Sequence, residues 1–248
     1  NGVEIVANAL LNARLLLVQP SGVLTVKNVD LANGNSTFNG GAIRNQGNLM
    51  LFEVVVRDSQ TAIGSDGGGI YTDSSTTLTL IDSLILNNNT NGLFDQGGGL
   101  YADSGSTVRI SGTTFASNSA AFGGGIVNSG GDMTVSRSRF YDNEAYENSG
   151  GAFINGGSGN LVITNSLLYE NRADGGTSAS SGGGIRNESG VLTVVNSTIT
   201  DNLDTLGSPG ISNNGTLNLF NSIVWNNDSN NTGGGTSTVT NSILDPGL

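Results

Sequence analysis

Residues 123–143, GGGIVNSGGDMTVSRSRFYDN, contain the pattern that decides the fold. Three glycines are followed by the apolar Ile126, a turn of small residues, the alternating segment Met133-Thr134-Val135, and then Phe140 and Asn143. The same order of residues recurs along the chain at intervals of 20–31 residues. A repeat that stays in phase while its length varies indicates a solenoid with constant strands and one variable loop. The first apolar strand residues of the copies are Leu24, Leu49, Leu78, Val108, Met133, Leu161, Leu192 and Leu217, with a degenerate ninth copy at Ser237.

Three apolar columns run through these copies. Each anchor is followed two residues later by a second apolar residue, and side chains two apart in a strand lie on the same face. No helix of useful length fits between the segments, so parallel strands must pair with the same segment one coil away. The sequence therefore predicts an all-β fold, a single-stranded right-handed parallel β-helix of about nine coils with a triangular cross-section and three short parallel sheets. The second column is Leu31, Val56, Ile85, Phe115, Phe140, Leu168, Ile199, Val224 and Leu244, and the third is Ile43, Ile70, Leu100, Ile126, Phe153, Ile185 and Ile211.

Polar columns occupy the corners between the strands. Ser or Thr recurs five residues after each anchor from Ser83 onward, and Asn recurs ten residues after it. Asparagine tolerates left-handed backbone and hydrogen-bonds along stacks of identical residues, so we predict a structural ladder at this corner. The ladder residues are Asn88, Asn118, Asn143, Asn171, Asn202 and Asn227.

The composition is compatible with one elongated domain. The chain has 248 residues, 39 Gly, 3 Pro and no Cys, with a net charge of -11, which disfavours a nucleic-acid or anionic membrane partner. We divide the predicted domain, 1–248, into an irregular first coil (1–23), regular coils (24–236) and an incomplete last coil (237–248), which we expect to be truncated. The apolar segment at residues 15–18 favours a strand in the first coil, and a short capping helix over residues 7–14 is the alternative. No segment of this chain is expected to insert into a membrane.

The columns resemble bacterial surface-associated β-helix repeat proteins. One such group is the chlamydial polymorphic outer-membrane proteins with GGAI and FxxN tetrapeptides, which are matched by residues 40–43, 115–118 and 140–143. The chain is also similar to secreted repeat proteins with GGGIYN and LTLTNSTISGN coils, as in residues 182–187 and 192–202. The resemblance implies export to the extracellular space or cell surface of a bacterium and a structural or adhesive role. It provides no catalytic residue that could be assigned to a position here.

Parallel β-helices also include polysaccharide lyases and glycosidases, so an enzyme must be considered. The chain has no His and only 9 basic residues, which are scattered over different columns. Asp73 and Asp103 share a column on adjacent coils, with Asp66 and Asp95 shortly before the glycines. A stacked pair of this kind could share Ca²⁺ with loop carbonyls, but solvated turn aspartates are the favoured interpretation, and no cofactor is otherwise expected. An ice-binding threonine ladder is disfavoured because every other coil interrupts the row. We therefore expect a protein without catalytic activity.

Two features suggest partners. The variable loops, including 33–39, 59–66, 89–96 and 119–122, all leave at one corner, where solenoids commonly bind. Outward tyrosines fall in adjacent coils as the pairs Tyr71/Tyr101 and Tyr141/Tyr169, with Trp225 two coils further on, so they could stack on surface glycans or on each other. The sequence favours a structural surface protein that assembles end to end with copies of itself into a filament. A carbohydrate-binding adhesin is the alternative, followed by a polysaccharide lyase or hydrolase.

Overall fold

The computed structural model describes residues 3–6, 13–174, 182–205, 210–227 and 235–245, and it shows stacked parallel strands without helices in these ranges. Three main sheets form the sides of the solenoid. The ten-strand sheet consists of Val3–Val6, Val29–Ala32, Val55–Arg57, Leu84–Leu86, Thr114–Ala116, Arg139–Tyr141, Leu167–Tyr169, Thr198–Thr200, Ile223–Trp225 and Ile243–Leu244. The nine-strand sheet consists of Val23–Lys27, Asn48–Phe52, Thr77–Ile81, Thr107–Ser111, Asp132–Ser136, Asn160–Thr164, Val191–Val195, Thr216–Phe220 and Thr236–Thr240. The eight-strand sheet consists of Leu16–Val18, Ile43–Asn45, Ile70–Thr72, Leu100–Ala102, Ile126–Asn128, Phe153–Asn155, Ile185–Asn187 and Ile211–Asn213.

The register of the strands follows the sequence repeat. Leu78 pairs with Val108, and Val108 pairs with Met133, so the anchor residues lie on immediately neighbouring strands. The eight-strand sheet takes seven steps from its first strand to its last, so the described chain completes about seven turns. This is slightly fewer than the nine coils expected, because the outermost copies contribute strands to only some of the three sides. The alternative helix at residues 7–14 falls mainly on 7–12, which lie outside the described residues.

The three predicted apolar columns form the core. All members from Leu31 to Val224 in the second column are at most 2% exposed, because each faces the same interior as its neighbours one coil away. Phe115 stacks on Phe140 with ring centroids 5.2 Å apart, and Phe140 contacts Phe153 at 4.4 Å. Aromatic rings in such stacks contribute packing energy beyond the burial of their surface. The core is therefore continuous along the solenoid axis.

The predicted asparagine column forms a buried ladder. Each Nδ2 donates to the Oδ1 of the asparagine one coil on, at 2.8–3.0 Å from Asn88 through Asn227. Each Nδ2 also donates to a backbone carbonyl of the preceding coil, such as Phe115 O for Asn143. The side chains therefore satisfy backbone groups at a corner where the strand ladder is interrupted.

The predicted left-handed backbone at this column is wrong by one residue. The positive φ angles belong to the preceding positions, including Asn87 (52°), Ser117 (51°) and Asp142 (52°). The left-handed residue turns the chain, and the following asparagine then points inward to its ladder partners. In each coil a polar residue therefore makes the turn, and the asparagine that follows it supplies the hydrogen bonds.

Two further ladders extend the same principle. The Ser/Thr column pairs backbone N–H with the next hydroxyl, for example Ser138 N with Ser166 Oγ at 3.1 Å. A second asparagine ladder, which the sequence analysis missed, joins Asn128 to Asn155 at 2.9 Å and continues through Asn187 to Asn213. Three different polar columns therefore hold the coils in register.

The variable-loop corner contains short ladders in addition to the three expected sheets. Ser119–Phe122, Glu144–Ser149, Arg172–Ala173 and Leu203–Asp204 pair in sequence, and Asn35–Ser36 pairs with Gln60–Thr61. Isolated bridges at Asn89 connect the two groups. The insertions therefore leave the solenoid in an ordered row beside the eight-strand sheet.

We predict that Asn143→Leu destabilises the fold more than an ordinary surface change. The substitution removes the acceptor of both Asn118 N and Asn118 Nδ2, and it removes the side-chain donor to the Phe115 carbonyl and to Asn171 Oδ1. Buried unsatisfied groups cost about 1–3 kcal/mol each, so the free energy of unfolding should fall by at least about 3 kcal/mol.

Asn160→Ala is the matched control, because Asn160 is exposed and its side chain donates to the exposed Asp132 across the surface. Equilibrium denaturation should show a change within about 0.5 kcal/mol for this control. Equal stability of the two variants would contradict a structural role for the ladder.

Candidate functional site

The outward face of the eight-strand sheet is unusually well covered. The middle residue of each strand points away from the core, yet Val127 is only 2% exposed, Ile154 4% and Tyr71 8%. Outward residues of a solvated sheet face are normally accessible. The flanking corners must therefore rise on both sides of this face and form a groove. Its floor is the column Arg44, Tyr71, Tyr101, Val127, Ile154 and Arg186.

Two walls run along this floor, and we call the whole feature the long groove. The first wall is formed by the residues that precede each glycine corner, and backbone bonds such as Gly97 N to Phe122 O connect its steps. The second wall is formed by the residues that follow each strand of the eight-strand sheet, connected by bonds such as Asp103 N to Thr72 O. The first wall contains Asn39, Asp66, Gln96, Phe122 and Ser149, and the second contains Gln46, Asp73, Asp103, Ser129, Gly156 and Glu188.

A pocket of about 360 Å³ lies in the long groove. Phe94 is 80% exposed and adds an accessible ring from the loop at 89–96, while Phe122 is half-buried. The pocket thus combines an apolar floor, aromatic rings and a few polar groups, which is the usual composition of a small-molecule site. Its floor is Val127 and Ile154, one wall is Gln96 and Phe122, and the other is Ser129, Gly156, Gly157 and Glu188.

The predicted pair Tyr71 and Tyr101 lies in the floor beside this pocket. The two rings stack on each other with centroids 5.1 Å apart and planes 4° apart, and Arg44 lies 5.7 Å from the Tyr71 ring centroid. Burial raises the pKa of both hydroxyls, and Asp103, which accepts a hydrogen bond from Tyr71 at 3.3 Å, contributes to the rise at Tyr71. The ring of Tyr71 is therefore already in contact with Tyr101 and Arg44.

The predicted calcium candidates bind other groups. Arg44 donates to both oxygens of Asp73, at 3.0 and 2.9 Å, and Gln46 donates to one of them at 2.9 Å. Asp103 accepts bonds from Ser104 N and Tyr71. In the ranges that the structure describes, no group of three or more His, Cys, Asp or Glu is arranged to hold a metal ion. A calcium site at Asp73 and Asp103 was the less favoured interpretation of the sequence, and it stays untested.

Asp66 is the carboxylate of the groove whose environment is most perturbed. Burial raises its pKa to about 6, the nearby Asp95 and Asp103 add to the rise, and the bond from Gln96 N at 2.8 Å opposes it. Asp95 itself is 3% exposed and accepts hydrogen bonds from Gly64 N and Gly92 N, so it connects the loop at 59–66 to its own loop at 89–96. At neutral pH the negative charge of Asp66 therefore destabilises the folded state.

The second predicted tyrosine pair lies on a different face. Tyr141 and Tyr169 belong to the ten-strand sheet and stack with centroids 5.2 Å apart. Trp225 lies two strands beyond Tyr169 on the same sheet and is 44% exposed. The four tyrosines therefore form two separate stacks.

Phe94 and Phe122 line the pocket, although the repeat pattern did not indicate them as site residues. Phe122 was visible as the only aromatic member of the column before the glycines, and Phe94 as an apolar residue in a variable loop. The asparagine column Asn88 to Asn202 is at most 1% exposed, in agreement with its predicted structural role.

We predict that Asp66→Asn stabilises the protein at pH 7.5 and that the gain disappears by about pH 4. A carboxyl group whose pKa is raised on folding destabilises the native state fully above the folded value, about 6, and not at all below the unfolded value of 3.8. The gain can reach about 3 kcal/mol if the whole shift is relieved.

Thermal denaturation of both proteins between pH 4 and pH 8 would measure this difference, with Asp132→Asn as an exposed control. A gain for Asp66→Asn that is constant over this range would contradict the assignment.

Comparison with known proteins agrees with the architecture. A family profile described as a right-handed β-helix region matches residues 14–199 and, in a second, overlapping match, 68–244. No curated protein and no solved structure gives a significant match. Within the described ranges, no helix has the length and apolarity needed to cross a membrane. The chain belongs to the right-handed β-helix family.

Proposed function

We propose that the chain is a non-catalytic surface protein that binds neutral polysaccharide along the long groove. The single observation that carries the proposal is the pocket in which Phe94 and Phe122 flank an apolar floor between two polar walls. Sugars are bound in proteins by aromatic rings that contact their apolar faces and by polar groups that contact their hydroxyls. The pocket offers both.

The aromatic contribution comes from the phenylalanines rather than from the tyrosines. Tyr71 and Tyr101 stack face to face, and Tyr71 is 8% exposed, so its ring has little surface left for a ligand. Phe94, in contrast, is 80% exposed. Covering such a ring removes apolar surface from water and favours binding.

The charges of the groove favour a neutral ligand. Its arginines are already paired, Arg44 with Asp73 at 2.9 Å and Arg186 with Glu188 at 3.2 Å. The remaining carboxylates, Asp66 and Asp103, repel polyanions but accept hydrogen bonds from sugar hydroxyls. Acidic polysaccharides and nucleic acids are therefore unfavourable ligands.

The length of the groove favours a chain over a small molecule. The floor from Arg44 to Arg186 covers five strand spacings, and at about 4.8 Å per spacing this is about 24 Å. The walls follow the floor over this length, so consecutive sugar units could occupy consecutive coils.

The proposal that the protein is not an enzyme is supported by the composition of the pocket. Glycosidases place two carboxyl groups on either side of the bond that they cleave. Among the described residues that line this pocket, Glu188 is the single carboxylate. The proposed location, the exterior of a bacterium, is supported by the resemblance of the repeats alone.

We predict that Phe94→Ala and Phe122→Ala each weaken binding of a neutral hexasaccharide about five- to tenfold. Each removes a ring contact worth about 1 kcal/mol, and 1.4 kcal/mol corresponds to a tenfold change in affinity. Isothermal titration calorimetry with β-1,4-linked hexasaccharides of glucose, mannose and galactose would measure the effect, with polygalacturonate as the acidic comparison.

Phe38→Ala is the matched control, because Phe38 is 68% exposed and does not line the pocket. It should bind within twofold of the unmodified protein, and melting temperatures should show that the variants remain folded. Equal losses in all three variants, or tighter binding of polygalacturonate than of neutral chains, would contradict the proposal.

End-to-end assembly stays a second proposal. The outer strands of the nine-strand sheet, Val23–Lys27 and Thr236–Thr240, each have a partner on one side among the described strands. Strand addition at such edges would continue the ladder between molecules. Sedimentation velocity of the full protein at increasing concentration would detect filaments, and a constant monomer would oppose this proposal.

A further inference from the structure

One strand of the ten-strand sheet presents small residues between two strands that present large ones. Thr198–Thr200 directs both of its threonines outward, because Ile199 between them is fully buried. On one side, the same positions are Leu167 and Tyr169, and on the other side they are Ile223 and Trp225. A trough one strand wide therefore follows the strand Thr198–Thr200, and its floor consists of the two threonines. We call this feature the aromatic slot.

The orientation of Tyr169 follows from its stack with Tyr141. These rings lie on adjacent strands, their centroids are 5.2 Å apart, and their planes are 21° apart. Because adjacent strands are about 4.8 Å apart along the solenoid axis, the rings must face one another nearly along that axis. One face of Tyr169 is therefore covered by Tyr141, and the opposite face is directed over Thr200. The short threonine side chain leaves this second face uncovered.

Trp225 forms the other side of the slot. It is 44% exposed, and the neighbouring Ile223 is 40% exposed, although both belong to a strand that pairs on each side. The strands of Tyr169 and Trp225 are two spacings apart, which is about 9.6 Å. A flat aromatic group in van der Waals contact with both sides needs about 7–8 Å, whereas a puckered pyranose ring is thicker. The width favours a sugar ring over a planar group.

Polar groups lie at one end of the slot. Thr200 Oγ1 donates to Asp201 Oδ2 at 2.8 Å, and Asn226 donates to the other carboxylate oxygen of Asp201. Asp201 and Asn226 also line a separate pocket of about 250 Å³. A carboxylate and an amide together accept and donate hydrogen bonds as sugar hydroxyls require, and the carboxylate disfavours an anionic ligand.

We propose that the aromatic slot is a second carbohydrate site, which holds one neutral pyranose unit between Tyr169 and Trp225 over Thr200. The site lies on a different sheet from the long groove and shares no residue with it. It goes beyond the function proposed above, since either site can exist without the other.

The chain contains one Trp, so intrinsic tryptophan fluorescence reports on Trp225 directly. We expect a saturable change in emission when the full protein is titrated with the β-1,4-linked hexasaccharide of glucose, mannose or galactose. Thr200→Tyr should weaken the response at least tenfold, because a third tyrosine fills the slot and continues the existing stack. Tyr169→Leu, which keeps the apolar contact with neighbours but removes the ring, should weaken it about five- to tenfold.

Thr193→Tyr is the matched control, since Thr193 is an outward, partly exposed threonine on the nine-strand sheet. It should leave the fluorescence titration within twofold of the unmodified protein, as should Phe94→Ala in the long groove. Absence of a saturable change with all three hexasaccharides would overturn the proposal, and so would an undiminished response in folded Thr200→Tyr. A weaker calorimetric affinity in Phe94→Ala at the long groove, with the fluorescence titration within twofold of the unmodified protein, would separate the two sites.

Discussion

The in-register hydrogen bonding between equivalent residues of successive coils is the constraint on which the whole structure depends. Each strand obtains its backbone partners from the coils before and after it, because no helix or antiparallel partner is present among the described residues. Corners interrupt this pairing, and there the side chains of Asn88 to Asn227 replace the missing partners. A shift of one residue would turn the apolar columns outward and break these ladders together. The register is thus fixed by the core and by the corners at once.

The same constraint creates the surface sites. Because equivalent residues stack, a feature at one outward position becomes a column about 4.8 Å per step along the axis. In the long groove this arranges stacked tyrosines, paired arginines and two polar walls along one direction. On the ten-strand sheet it brings Tyr141 and Tyr169 face to face, and the interruption at Thr200 opens the aromatic slot. The order of the outward residues along the axis therefore determines binding specificity in such a protein, while the inward residues maintain the fold.

The sequence predicted the inward columns and the main ladder well, since both depend on residue types at fixed spacing. It misplaced the left-handed turn, because asparagine itself favours turns and is the residue that repeats, whereas the turn residue before it varies, as in Asn87, Ser117 and Asp142. It did not predict the long groove, because the cover over Val127 and Ile154 depends on how the variable loops pair with each other. The spacing of Tyr71 and Tyr101 allows them to stack on each other or on a ligand, and in the structure they stack on each other. The aromatic residues that can contact a ligand in the groove, Phe94 and Phe122, lie in a variable loop and at a column position where no other coil has an aromatic residue.

Distances between spin labels along one outward column test the stacking most directly, and the absence of Cys allows labels to be attached at chosen cysteine substitutions. Thr25 is four strand spacings from Thr134, six from Thr193 and eight from Thr238 in the nine-strand sheet. Double electron–electron resonance on labelled pairs should therefore give distances of about 19, 29 and 38 Å, which increase linearly with the number of coils. Distances that do not increase in this order, or that do so without a constant step, would contradict a solenoid whose equivalent residues lie in register.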